Sequence, residues 1–184
     1  MSVNLTKVTV SEYERMGETG VFAPDARVEL IEGEIIEMSP IGSRHAACVE
    51  LLAEQVRDLV KGIFLVRTQN PIVLDDFSEP QPDVAVLKFR PDRYLNAHPR
   101  PSDILIVIEV AETTVHFDRH VKVPLYARAG IPEVVLFNLP EDRLECFLQP
   151  ETGIYRVSRV FNRGEKFESS SLPGLTLDIE TILG

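Results

Sequence analysis

No stretch of this chain approaches the roughly 18 consecutive apolar residues of a membrane-spanning helix, so a bilayer partner is not expected. The opening Met1-Ser2-Val3-Asn4 lacks both the basic start and the apolar core of a secretory signal, which sets the expectation of a cytoplasmic protein. Cysteine is scarce. Cys48 falls in a helical pattern and Cys146 in a strand pattern, with no histidine or second cysteine at ligand spacing, so both read as small buried side chains, not as a disulfide or zinc site. Positive charge is also short: 19 Lys and Arg stand against 29 Asp and Glu, a net charge of −10. Because affinity for phosphate backbones comes largely from lysine and arginine, that balance speaks against a nucleic-acid partner. Lys88, Arg90, Arg93 and Arg100 nonetheless cluster against a single Asp92, and Arg119 and Arg128 flank a helical stretch. Two readings stand open: one edge of a phosphate-gripping cleft, or a solvated loop.

What is present is a globular composition. With 184 residues, 44% hydrophobic and 26% charged, the chain fits one domain over residues 1–184 with a real core, and it shows no internal repeat or low-complexity segment. Ser11-Glu12-Tyr13-Glu14 resembles a capping box and predicts a short N-terminal helix. Val28 to Met38 predicts a hairpin bending at Glu32-Gly33 that starts the sheet. Of its acids Glu29, Glu32, Glu34 and Glu37, most are expected in solvent, with one of Glu34 and Glu37 able to reach a site. From Ser43 to Lys61, Val49, Leu52, Val56, Leu59 and Val60 recur at helical spacing, and Gly62 stops the run. His45 lies on that stripe, either as a hydrogen-bonded core histidine or as a group facing a site from the helix start.

Ile63 to Leu74 reads as strand pieces broken at Asn70-Pro71, and a loop then delivers the chain to Asp83. Pro82 to Leu87 and Ile104 to Val110 are apolar, β-branched runs too short for helices, and they carry Asp83 and Glu109. A carboxylate buried alone costs several kcal/mol or neutralises. A shared divalent metal with a nearby lysine removes that penalty. The lysine candidate is Lys122, in a stretch where Asp118, Lys122 and Tyr126 are spaced four apart and form one polar stripe on a helix that ends at Gly130. Asp118 reads as its N-cap. Pro124 implies that the helix starts nearer His120 or bends. Between Leu87 and Asp103 a proline-rich excursion is placed on the surface, over the substrate. Glu133 to Asn138 reads as another buried-type strand that Pro140-Glu141-Asp142-Arg143 turns into Leu144 to Leu148, and Ile154 to Phe161 and Leu175 to Ile179 complete an antiparallel extension. The order makes an α+β, mixed α/β architecture.

The helix from Ser43, the strands carrying Asp83 and Glu109, and the helix with Lys122 resemble the αβββαβ core of the PD-(D/E)XK nuclease superfamily. The stretches VELIEGEIIEMSP, QPDVAVL, IEVAETT, DRHVKVPLYARAGIPEVV and LPGLTLDI are similar to the Uma-two family of restriction endonucleases. The resemblance implies a Mg²⁺-dependent (or Mn²⁺-dependent) DNA endonuclease, with Asp83, Glu109 and the carbonyl of Val110 as metal ligands and Lys122 as the catalytic lysine. Two residues after Glu109 the chain has Ala111 in place of the superfamily's lysine, so that role passes to Lys122. Glu112-Thr113-Thr114 matches the family's turn only loosely. Gln69 and Gln81 are candidates for orienting ligands, and Tyr126 for bonding a phosphate or for packing between helix and sheet. A homodimer would match two symmetric sites to two antiparallel strands. The competing expectation is an inactive module of the same fold that binds nucleic acid or protein.

Overall fold

Three central strands carry almost no solvent-facing side chains, and the rest of the chain is arranged to cover them. The computed structural model describes residues 6–184; Met1-Ser2-Val3-Asn4, which bear on a leader, lie outside the described residues. In chain order, β3 (Phe64–Thr68), β4 (Val84–Lys88), β5 (Ile104–Ala111), β6 (Glu133–Asn138), β7 (Arg143–Glu151) and β8 (Ile154–Asn162) form one six-stranded sheet in that spatial order. Only β5 and β6 run parallel; the other pairs are antiparallel. Continuous apolar runs such as Ile104–Ala111 are what strands covered on both faces require. The edge strand β8 instead alternates exposed and half-buried residues and bears Arg156 and Arg159, a pattern that discourages further pairing.

One face of the sheet packs on α2 (Ser43–Val60), through Val49, Leu52, Val56 and Val60 against Val84, Val86, Ile106 and Ile108. The predicted Leu59 is 45% exposed and does not join them; Cys48 and Ala53 take the remaining core positions. The helix opens on Gly42 with no side-chain cap. The opposite face packs on a composite helix: α3 (Val115–Phe117), a π-helical turn Asp118–Lys122 and α4 (Val123–Arg128). The helix therefore starts before Asp118, which is not its cap. The wider turn ends at Lys122, just before Pro124, whose ring and missing N–H are tolerated in the first turn of α4 but not inside a continuous α-helical ladder. Asp118, Lys122 and Tyr126 still share one buried face.

The N-terminal pieces depart from expectation in position more than in kind. α1 (Val10–Glu18) is capped by Thr9, with Glu12 closing the capping box two residues earlier than Ser11 and Glu14 would. β1 (Val28–Ile31) and β2 (Glu34–Glu37) form the hairpin, turning at Glu32 (φ 52°) and Gly33 (φ 84°), but they make their own two-stranded sheet. At the C-terminal end only β7 and β8 extend the main sheet. β9 (Lys166–Glu168) and β10 (Thr176–Asp178) pair with each other, and the chain then enters α5 (Ile179–Leu183), a helix too short for periodicity to announce and capped by Asp178. No helix among the described residues is long and apolar enough to cross a membrane.

Candidate active site

Strand parity decides where the two acids point. Val84 opposes Ile108 in the β4–β5 ladder, and both belong to the core under α2. Asp83, the residue just before Val84, and Glu109, the residue just after Ile108, are each one step off that pair, so both turn to the opposite layer, where α4 packs. The Asp83 amide stands 3.4 Å from Glu109 Oε2, and the Val110 amide donates to Asp83 Oδ2 at 2.9 Å. Lys122 reaches the same point from the π-helical turn, its Nζ 2.8 Å from Glu109 Oε1 and 3.3 Å from Glu29 Oε2. The three groups inferred from sequence thus meet on one face, though 26 and 13 positions apart in the chain.

Each acid is held by further donors. Gln69 Nε2 donates to Asp83 Oδ1 at 3.1 Å, and His45 Nε2 lies 3.3 Å from Oδ2. His45 therefore takes the second of its two readings, a group at the helix start facing the carboxylate. Tyr126, wholly buried, packs as expected but also donates its hydroxyl to Glu109 Oε1 at 2.6 Å. Thr114 Oγ1 donates to the buried Asp118 at 2.6 Å. Gln81 serves at one remove, its main-chain amide donating to Glu29 Oε2 at 3.1 Å.

Glu29 is the member that sequence reasoning missed. It is 3% exposed and bridges to Lys122, whereas Glu37 only borders the cavity and Glu34 is exposed opposite Ile31, away from it. The signal was available: a carboxylate within the apolar run Val28-Glu29-Leu30-Ile31 poses the same question as Asp83 and Glu109 do in theirs. These groups, apart from Gln69, Tyr126 and Glu34, line a cavity of about 460 Å³ walled by the 36–42 segment, His45 and the 112–118 segment. The excursion from Lys88 to Asp103, with Arg90, Arg93 and Arg100, does not line it; Arg27 stands at its rim. Of these cations Arg90 pairs with Asp92, and the helix-flanking Arg119 and Arg128 pair with Glu145 and Glu32.

Electrostatically the site is short of positive charge. Glu29, Asp83, Glu109 and Asp118 are all buried around one buried ammonium. Burial pushes the Glu109 carboxyl above the usual carboxylate range against the pull of Lys122. Burial likewise raises Asp118. Lys122 is drawn down by burial, yet Glu109, Tyr126 and Glu29 hold it well above its ordinary value. Asp83 is pushed up by burial, but the hydrogen bonds from His45, Val110 and Gln69 outweigh it and leave the carboxyl low. Among the described residues, Glu109 Oε2 has only its long contact with the Asp83 amide, and Asp83 Oδ1 only Gln69, so each acid keeps lone pairs for a cation. The donor set is oxygen alone, which suits Mg²⁺ or Mn²⁺.

A buried acid pair and lysine on an αβββαβ sheet define a restriction-endonuclease-like class of nuclease fold. A solved structure described as that of a putative nuclease belonging to DUF820, from Anabaena variabilis, shares this fold with a TM-score of 0.72, covering 96% of this chain and 97% of that one at 17% identity. The family model described as "Uma2: Putative restriction endonuclease" matches residues 10–180, and the chain belongs to the Uma2 family. No curated protein matches it in sequence.

Proposed function

We propose that the protein is a metal-dependent DNA endonuclease, one nuclease-like domain acting as a cytoplasmic homodimer. The observation that carries the reading is the convergence of Asp83, Glu109 and Lys122 on one cavity floor. Asp83, Glu109 and the Val110 carbonyl would hold Mg²⁺, with Mn²⁺ as a substitute. Such an ion polarises a phosphoryl oxygen and lowers the pKa of bound water. The remaining work falls to the chain itself. Tyr126 and Lys122 fix one oxygen of Glu109 and leave the other facing the cavity; Asp83 is held through both oxygens, Oδ1 by Gln69 and Oδ2 by His45 and the Val110 amide, which sets its orientation. Two of the three Lys122 N–H bonds are taken by Glu109 and Glu29, and the third is free to orient water or to meet charge building on the phosphate. Arg27 stands at the rim as a phosphate contact.

The second reading, an inactive module that binds nucleic acid or protein, is favoured by one fact: the basic cluster of residues 88–100 lies off the cavity, in a protein of net charge −10. Plasmid cleavage in Mg²⁺ or Mn²⁺ beside Asp83→Ala and Lys122→Ala separates the two. The nuclease reading expects nicking or linearisation that both substitutions abolish. Cleavage that survives both removes this mechanism, and metal-independent DNA or protein binding without cleavage supports the module.

A further inference from the structure

Beyond the cavity, α1 and two loops bring a second set of ligand-type side chains together on the far side of β1. Glu29 turns to the candidate active site, while its neighbour Leu30 packs beneath α1 with Val10, Tyr13 and Val73. Leu30 exchanges main-chain hydrogen bonds of 2.7 and 3.4 Å with Glu79. The Glu79 side chain joins Glu14, from α1, and His98, from the excursion between β4 and β5. Among the described residues, these three form the group of His, Cys, Asp and Glu whose ligand atoms all lie within 4.8 Å of one another.

Acids gather on surfaces without any ion, so the cluster alone decides nothing. The deciding observation is Glu79, which is only 4% exposed and whose Oε2 has no hydrogen-bond partner among the described residues. A buried carboxylate oxygen without a donor is among the rarer and costlier features of a folded protein. Here it sits beside a second carboxylate, which worsens the cost, and beside an imidazole, which a metal converts from a bystander into a ligand.

We propose that Glu14, Glu79 and His98 form a second divalent-metal site, which takes a first-row transition ion such as Zn²⁺ and clips α1 to the two loops. Two carboxylates and one imidazole are a three-ligand set that leaves a position for water. The imidazole selects such an ion over Mg²⁺, unlike the oxygen-only set at Asp83 and Glu109. The backbone is already in place: Val10 N donates to Asp76 O at 2.8 Å, and Val73 N donates to Pro99 O, next to His98, at 2.9 Å. A tetrahedral ion with bonds near 2.1 Å spaces its ligands by about 3.4 Å. Glu14, which is exposed, can move the ångström or so that closure requires. Arg67 Nη1 stands 3.4 Å from His98 Nδ1; a guanidinium only donates, so this long contact opens when either ring nitrogen ligates. The site is independent of the nuclease reading, since none of its ligands borders the cavity.

The experiment uses the full chain, stripped with chelator and titrated with Zn²⁺ by calorimetry and with Co²⁺ by visible absorption, followed by thermal unfolding. Wild type and Asp83→Asn are both expected to bind Zn²⁺ at this site and to gain several degrees in Tm, because an ion that binds only the folded state stabilises it by mass action. His98→Ala and Glu14→Gln should lose that Zn²⁺ equivalent and the Tm gain while unfolding in chelator close to wild type; Glu14 is exposed, so its substitution cannot act through collapse of the fold. Equal Zn²⁺ binding and equal Tm gain in wild type, His98→Ala and Glu14→Gln would overturn the proposal. So would a wild type that binds no ion at 100-fold excess of Zn²⁺, which would mean that a proton holds Glu79. Neither result bears on cleavage at Asp83 and Glu109.

Discussion

The Tyr126 hydroxyl donates to Glu109 Oε1 at 2.6 Å, on the same oxygen that Lys122 Nζ approaches to 2.8 Å. One carboxylate oxygen is thereby committed to the composite helix and the other is left for the cavity. Tyr126 is wholly buried, so its phenol cannot be replaced by water.

Tyr126→Phe keeps the ring and removes only the donor. The expected loss of stability is about 1–3 kcal/mol, that of one buried hydrogen bond to a carboxylate whose oxygen keeps Lys122 as its other partner. Under the proposed function, metal affinity and turnover also fall, by about 10–100-fold, as for other residues that orient a ligand. Urea unfolding and a Mn²⁺ titration of cleavage report the two effects separately. An unchanged Mn²⁺ dependence would count against Glu109 as a ligand.

Lys122 sits between two acids, and its removal should be felt through both. Its side chain and those of Glu29 and Glu109 are each about 4% exposed, so solvent screens none of them. Lys122→Met leaves two carboxylates buried together without a cation, at a cost of about 3–5 kcal/mol. Adding Glu29→Gln to that variant should recover part of the loss, a non-additivity that a double-mutant cycle in chelator measures directly. Additive losses would mean that Glu29 and Lys122 do not act on each other.

The αβββαβ core was legible because its strands are buried on both faces and so read as unbroken apolar runs, in which Asp83 and Glu109 are conspicuous. Lys122 was legible through its spacing from Asp118 and Tyr126, which survives the π-helical turn because a step of four residues stays near one face of either helix type. Glu29 was lost for the opposite reason: three other glutamates share its hairpin, and nothing local shows that Lys122 lies opposite this one. The basic residues from Lys88 to Arg100 misled because linear clustering carries no information about direction; Arg90 folds back on Asp92. The β1–β2 hairpin and the Leu175–Ile179 segment were read into the main sheet, and β9 was not read at all, because strand propensity says that a segment is extended, not what it pairs with.

Glu133 offers a test of the C-terminal segment apart from the cavity. Its buried carboxylate accepts from Ser169 Oγ at 2.7 Å, Ser171 N at 2.8 Å and Ser170 N at 3.3 Å. Every neighbour is a donor. Glu133→Gln turns one acceptor into a donor facing donors, and about 1.5–3 kcal/mol of stability should go with it. Hydrogen exchange should quicken at the amides of Ser170 and Ser171 before it does in β5 or β6. Uniform acceleration across the sheet would contradict the local role.

His45 and Asp83 give the protein a defined pH signature in chelator. The hydrogen bond to Asp83 raises the His45 pKa despite burial, so this contribution is complete below the unfolded value near 6.5 and is lost as pH rises through the higher folded value. Asp83 is pushed up by burial but held low by His45, Val110 and Gln69, so its contribution is present above the unfolded value near 3.8 and is lost as pH falls through the lower folded one. The pair therefore stabilises most in the window between those two values. The difference in unfolding free energy between wild type and His45→Asn should be widest near the middle of that window and narrow on both sides. Mn²⁺ should shift the alkaline limb: a cation on Asp83 repels the imidazolium, lowers the His45 pKa and moves the loss of the pair to lower pH. A difference that stays flat from acid to alkali would show that the imidazole never carries charge beside Asp83.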